Sequence, residues 1–129
     1  MRILVAEDDD VLRSLLVDFL GGLGHAVKGA ENGLELVKMA LAERPHAVVT
    51  DLHMPEMAGG SMIAMLDMYP GLAGIPVLVI TGASAGELAD MGIPPEIPVL
   101  AKPFDFAGIE AALARLDRRL NGAGAGGPV

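Results

Sequence analysis

The sequence predicts an α/β protein, a single doubly wound parallel sheet of five strands with helices on both faces. Two observations carry that prediction. Short apolar runs of strand length alternate along the chain with segments whose apolar residues recur every three or four positions. Alternation of this kind means βαβ units, and their right-handed crossovers place helices on both faces of a parallel sheet. The length of 129 residues suits one domain with a sizeable core. A hydrophobic fraction of 52% and a mean hydropathy of +0.49 indicate a well-filled interior.

The elements follow in order. Arg2–Glu7 is a short strand of buried type, and Val11, Leu12, Leu15, Leu16, Phe19, Leu20 and Leu23 then repeat at helical spacing until Gly21, Gly22 and Gly24 end the helix. His25–Ala30 reads as a second strand, edge-like because Lys28 interrupts it. Asn32-Gly33 opens a second helix with Leu34, Val37 and Leu41 on one face, and Pro45 follows its end. His46–Thr50 is a third strand that runs straight into Asp51. Gly59–Tyr69 carries Met62, Ile63 and Leu66 as a third helix, and Ile75–Ile80 is a β-branched fourth strand. Ser84 with Glu87 reads as a capping box for a short fourth helix, stopped by Met91–Pro95. Ile97–Ala101 is the fifth strand, and Phe106, Ile109, Leu113, Leu116 and Leu120 make the last helix amphipathic. The domain is thus expected over residues 1–120, with 121–129 a flexible Gly/Ala-rich tail.

Composition excludes several classes. Cysteine is absent, so disulfides and thiolate metal sites are excluded, as fits a reducing, cytoplasmic setting. No apolar run approaches the ~20 residues of a membrane span, and acid by Glu7 argues against a signal peptide. A net charge of −8 argues against a general nucleic-acid surface. Arg115, Arg118 and Arg119 read as a solvated helix face, the eight Met as core fillers, and His25, His46 and His53 lack zinc-ligand spacing.

In open parallel sheets ligands sit beyond the carboxyl ends of the strands, so the polar residues there matter most. Strand one ends in Glu7, Asp8 and Asp9, strand three in Asp51, strand four in Thr81, and strand five in Lys102 before Pro103. Clustered carboxylates in a pocket need a compensating cation, and all-oxygen ligands favour a hard one such as Mg²⁺. A carboxylate nucleophile, a metal, a lysine ammonium and a hydroxyl together suit phosphoryl transfer. Asp10 reads as a first-turn acid favoured by the helix dipole, and Asp9 is open between that role and the site.

The ordered set "ILVAEDD", "VVTDLHMPEMAG", "VLVITG" and "LAKPF" resembles the receiver domain of two-component response regulators, from about Arg2 to Leu120. The resemblance implies a flavodoxin-like (βα)5 fold with strand order 2-1-3-4-5. It makes Asp51 the phosphoacceptor, with Mg²⁺ (or Mn²⁺) held by Asp8, by Glu7 through metal-bound water, by Asp51, and by the backbone carbonyl of His53. It gives Thr81 and Lys102 to the phosphoryl group, and to Pro103 a preceding cis peptide bond. The implied partners are a histidine kinase or a histidine phosphotransfer domain, with an unknown downstream target or a phosphorylation-dependent homodimer. With no output domain following, the chain is expected to act alone or as one receiver cut from a longer regulator.

Departures accompany the match. Ala58 stands where the family usually has Asp, and Val99 where it often has an aromatic switch residue. Gly92, Pro94 and Pro95 reshape the surface before strand five, and Ala83 and His53 act oppositely on water access. Two alternatives therefore stand beside the receiver. One is a degenerate receiver that binds a partner constitutively. The other is a haloacid-dehalogenase-like phosphohydrolase with Asp8 as nucleophile and Asp10 as general acid, in which Asp51 is idle.

Overall fold

The computed structural model describes residues 1–52, 59–82, 84–93, 96–102 and 105–125. Its strands are β1 (Arg2–Ala6), β2 (Ala26–Ala30), β3 (Ala47–Asp51), β4 (Val77–Thr81) and β5 (Val99–Ala101). Its helices are α1 (Asp10–Gly22), α2 (Gly33–Ala42), α3 (Gly59–Met68), α4 (Ala85–Asp90) and α5 (Phe106–Ala125). The strands form one parallel sheet in the order β2-β1-β3-β4-β5.

Alternation along each strand builds two cores. Ile3, Val5, Val49, Leu78 and Ile80 pack with Leu16 and Leu20 of α1 and Ile109, Leu113 and Leu116 of α5. Leu4, Ala6, Val48, Val77 and Val79 pack with Leu36 and Val37 of α2 and Met62, Ile63 and Leu66 of α3 on the opposite face. Because both faces are covered, the central strands are apolar except at their ends, where Arg2, Thr50, Asp51 and Thr81 stand, which is why they read as continuous runs.

Element ends follow local chemistry. Asn32 Oδ1 accepts from Glu35 N–H to cap α2, and Ser84 and Glu87 form the expected capping box on α4, a six-residue helix with no fully buried side chain. β4 and β5 each start two residues later than the apolar runs suggest. Pro76 and Pro98 have no N–H to give the ladder, although their carbonyls accept from Val48 and Val79 N–H at 3.0 Å each. At its other end β4 runs one residue further, to Thr81. α5 continues to Ala125, past the Leu120 at which apolar periodicity ends and through Gly122 and Gly124, which sequence propensity disfavours in a helix.

Two histidines sit at the amino ends of the strands, away from the acids. His46 Nδ1 accepts the Arg2 N–H at 2.7 Å, and His25 Nδ1 lies 3.0 Å from the Met1 amine. Among the described residues no helix is long and apolar enough to cross a membrane.

Candidate functional site

The sheet changes direction between β1 and β3. From β1 the chain steps outward to β2, whereas β3, β4 and β5 run off the other side, so the carboxyl ends of β1 and β3 form the topological switch point. Ala6 pairs with Thr50 in the parallel register, which brings Glu7 level with Asp51 one residue on. Asp51 in turn pairs with Ile80, and Thr81 with Ala101, so Thr81 and Lys102 follow along the same rim. The Lys102 N–H donates to the Thr81 carbonyl at 2.8 Å, extending the ladder to the lysine itself.

Carboxylate oxygens of Glu7, Asp8 and Asp51 all lie within 4.8 Å of one another. Glu7 and Asp51 are buried and Asp8 is exposed, so the group opens to solvent on one side. Lys102 Nζ donates to Asp51 Oδ2 at 2.5 Å and lies 3.8 Å from Glu7 Oε1. The Thr81 side chain is buried beside them at the end of β4.

The electrostatics follow from this packing. Burial pushes the Glu7 carboxyl up to about 7, reinforced by the neighbouring charge of Asp51 and opposed by Lys102. Burial works against the Lys102 ammonium, but its hydrogen bond to Asp51 and the charges of Asp51, Glu7 and Asp8 outweigh burial, and its pKa is raised. One ammonium faces three carboxylates, so the group is short of positive charge. Oxygen donors alone, part buried and part open to water, fit a hard divalent ion that retains some of its waters.

The acids that follow have other work. Asp9 caps α1: its Oδ1 accepts from Val11 N–H at 2.9 Å and Leu12 N–H at 3.0 Å. Asp10 lies in the first turn and pairs with Arg13 at 2.5 Å, its side chain 82% exposed. The structure thus brings together Glu7, Asp8, Asp51 and Lys102, with Thr81 on the same rim, and leaves Asp10 outside. Val99 stands on the edge strand β5, 38% exposed. His53 and Pro103, with Ala58, Ala83, Pro94 and Pro95, lie outside the described residues.

Sequence reasoning passed over Arg13, whose Nη1 donates to the Glu7 carbonyl at 2.8 Å. Its spacing of three from Asp10 on α1 is the one signal that pointed to a local contact.

Comparison with known proteins bears on the family and the fold. A family model described as the response regulator receiver domain matches residues 3–114. The protein Rrf1 of Nitratidesulfovibrio vulgaris is 31% identical over 119 residues, covering 92% of this chain and 82% of its own length. The response regulator MprA of Mycobacterium avium is 33% identical over 123 residues, covering 92% of this chain; the chain spans 52% of MprA. The receiver domain of a Pseudomonas aeruginosa sensor histidine kinase, with magnesium coordinated in its active site cleft, shares the fold with a TM-score of 0.81. That match is 24% identical and covers 89% of this chain and 95% of the other.

Proposed function

The chain belongs to the response regulator receiver family, and from that premise we propose that it accepts a phosphoryl group on Asp51 with Mg²⁺ bound and changes its affinity for a partner. The convergence of Glu7, Asp8, Asp51 and Lys102 at the carboxyl ends of β1, β3 and β5 carries the reading. Receiver domains work with histidine kinases or phosphotransfer proteins in two-component signalling, so the donor is a phosphohistidine of such a protein.

Each residue has a task in that step. A carboxylate oxygen of Asp51 attacks phosphorus as the bond from phosphorus to the donor imidazole nitrogen breaks; that nitrogen keeps the electron pair, and because the other ring nitrogen carries a proton the donor leaves as neutral histidine, with an acyl phosphate on Asp51. The Lys102 ammonium, already on Asp51 Oδ2, transfers its hydrogen bond to a phosphoryl oxygen. The Thr81 hydroxyl, at the end of the adjoining strand, is the second donor. Glu7 and Asp8, with Asp51, would hold the metal, whose positive charge would offset that of the phosphoryl oxygens. The backbone carbonyl of His53 and the peptide bond before Pro103 belong to the same proposed site. Water attacking the acyl phosphate would reset the protein, a slow hydrolysis that serves signalling.

Asp10 weighs against the phosphohydrolase, because its carboxylate faces solvent and Arg13 and leaves Asp8 without the general acid that reaction needs. The deciding experiment incubates the protein with Mg²⁺ and a small phosphodonor and locates the added mass, with Asp51→Asn as control. A Mg²⁺-dependent label on Asp51, absent from the variant, is the expected result. No label points to the constitutive binder, and a label on Asp8 with turnover of the donor to the hydrolase.

A further inference from the structure

Glu7 and Asp8 sit on the turn between β1 and α1, where nothing in the ladder itself fixes them beyond the first peptide. The Glu7 N–H donates to the Ala30 carbonyl at 3.1 Å, which ties the entry of the turn to β2. Asp9 ties its exit to α1 as the helix cap. Between those anchors the Glu7 carbonyl is held by Arg13 Nη1 at 2.8 Å, while Arg13 Nη2 holds Asp10 Oδ1 at 2.5 Å. The Arg13 side chain is only 17% exposed although it ends on the surface acid Asp10. Its stem lies across Gly29 of β2, where an added Cβ would come within 2.9 Å of Arg13 Cγ and Cδ. The glycine is therefore the seat of the arginine stem.

We propose that Arg13, seated on Gly29, is the positioning residue that fixes the Glu7–Asp8 turn in the geometry that binds a divalent cation. The inference rests on the receiver reading of the same site. A guanidinium presents five N–H donors in a rigid planar fork, so one side chain spans the carbonyl before the helix and the carboxylate in its first turn; an ammonium has no such fork. Mg²⁺ demands near-ideal octahedral geometry and tolerates little misplacement of a carboxylate. Partners that orient ligands typically change metal affinity by about 10–100-fold when removed.

The sign of the effect separates positioning from charge. Arg13 adds positive charge near the acids, so if it acted through charge alone, its removal would tighten Mg²⁺ binding. Positioning predicts the opposite. Mg²⁺ dissociation constants are measured by calorimetric titration on the wild-type chain, Arg13→Ala, Arg13→Lys and Gly29→Ala, each well below its own melting midpoint. Arg13→Ala is expected to weaken Mg²⁺ about tenfold. Arg13→Lys, which keeps the stem and one donor, recovers part of that loss. Gly29→Ala, which leaves Arg13 in the chain but displaces its stem, weakens Mg²⁺ in the same direction and decides the matter if Arg13→Ala does not fold. Affinities within twofold of wild type, or tighter, in Arg13→Ala and Gly29→Ala overturn the proposal while a wild-type chain that binds Mg²⁺ and labels on Asp51 leaves the receiver reading standing. A wild-type chain that binds no Mg²⁺ and takes no label overturns both.

Discussion

Glu7 should make the metal-free protein lose stability as the solution turns from acid to neutral. Its carboxyl ordinarily titrates near 4.5 and in the fold is pushed up to about 7, first by burial and then by the charge of Asp51. A group whose folded pKa is raised binds its proton more tightly in the native state, so its stabilising effect is complete below pH 4.5 and fades as pH rises through about 7. At about 1.4 kcal/mol for each pH unit separating the two values, the full effect is about 3 kcal/mol. The perturbation is Glu7→Gln, which keeps the shape and removes the titration. Urea unfolding of both proteins, with chelator present and at pH values from about 4 to about 8, gives the difference in unfolding free energy. Glu7→Gln should gain about 3 kcal/mol on the wild type across that range, most of it between the two pKa values. A difference that stays flat, or that moves in favour of the wild type toward neutral pH, would refute the account of how burial and Asp51 act on Glu7.

Other perturbations separate the site from the scaffold. Lys102→Ala strips the one ammonium from Asp51 and Glu7; because the lysine is a third exposed, the loss at neutral pH should be about 1–2 kcal/mol, below the range for a fully buried pair, read by the same urea unfolding. Leu78→Ala empties a fully buried position on β4 and should cost about 3 kcal/mol of stability while leaving Mg²⁺ affinity of the folded protein unchanged by calorimetry. Asp9→Ala uncovers the first N–H groups of α1 and should cost about 1 kcal/mol, and Asp9→Asn should cost much less because its side-chain carbonyl can take the same two hydrogen bonds; thermal melts of the pair test the cap directly.

The sheet was legible because both of its faces are covered. Residues 3–6 send alternate side chains to opposite cores, yet all are apolar, so the run announces a buried strand without revealing which side chain goes where. Strand order is different: no residue of β1 states that β3 is its second neighbour, and the order entered through the resemblance before the ladder gave it. Boundaries failed where two signals compete. Ile75 and Ile97 extend apolar runs, but the prolines behind them cannot donate to a ladder, and the strands begin after them. At the end of α5 the apolar stripe stops at Leu120 while helical backbone continues to Ala125, so periodicity did not mark the end of the helix.

The acidic turn shows the same limit at finer scale. Asp8, Asp9 and Asp10 are chemically identical and adjacent, yet one joins Glu7 and Asp51, one caps α1, and one pairs with Arg13. Helix phase assigns these tasks, and a one-residue shift in the start of α1 would exchange them. Residue type shows that a carboxylate is present at a strand end; only the position of the first helical turn shows which carboxylate faces the site. Arg13 lay beyond sequence reading for a related reason. Its partner that matters is a backbone carbonyl, which every residue possesses, so no side-chain pattern could mark the contact. What marks it is Gly29, an absent side chain on a neighbouring strand, meaningful only once β2 is seen to lie beneath α1.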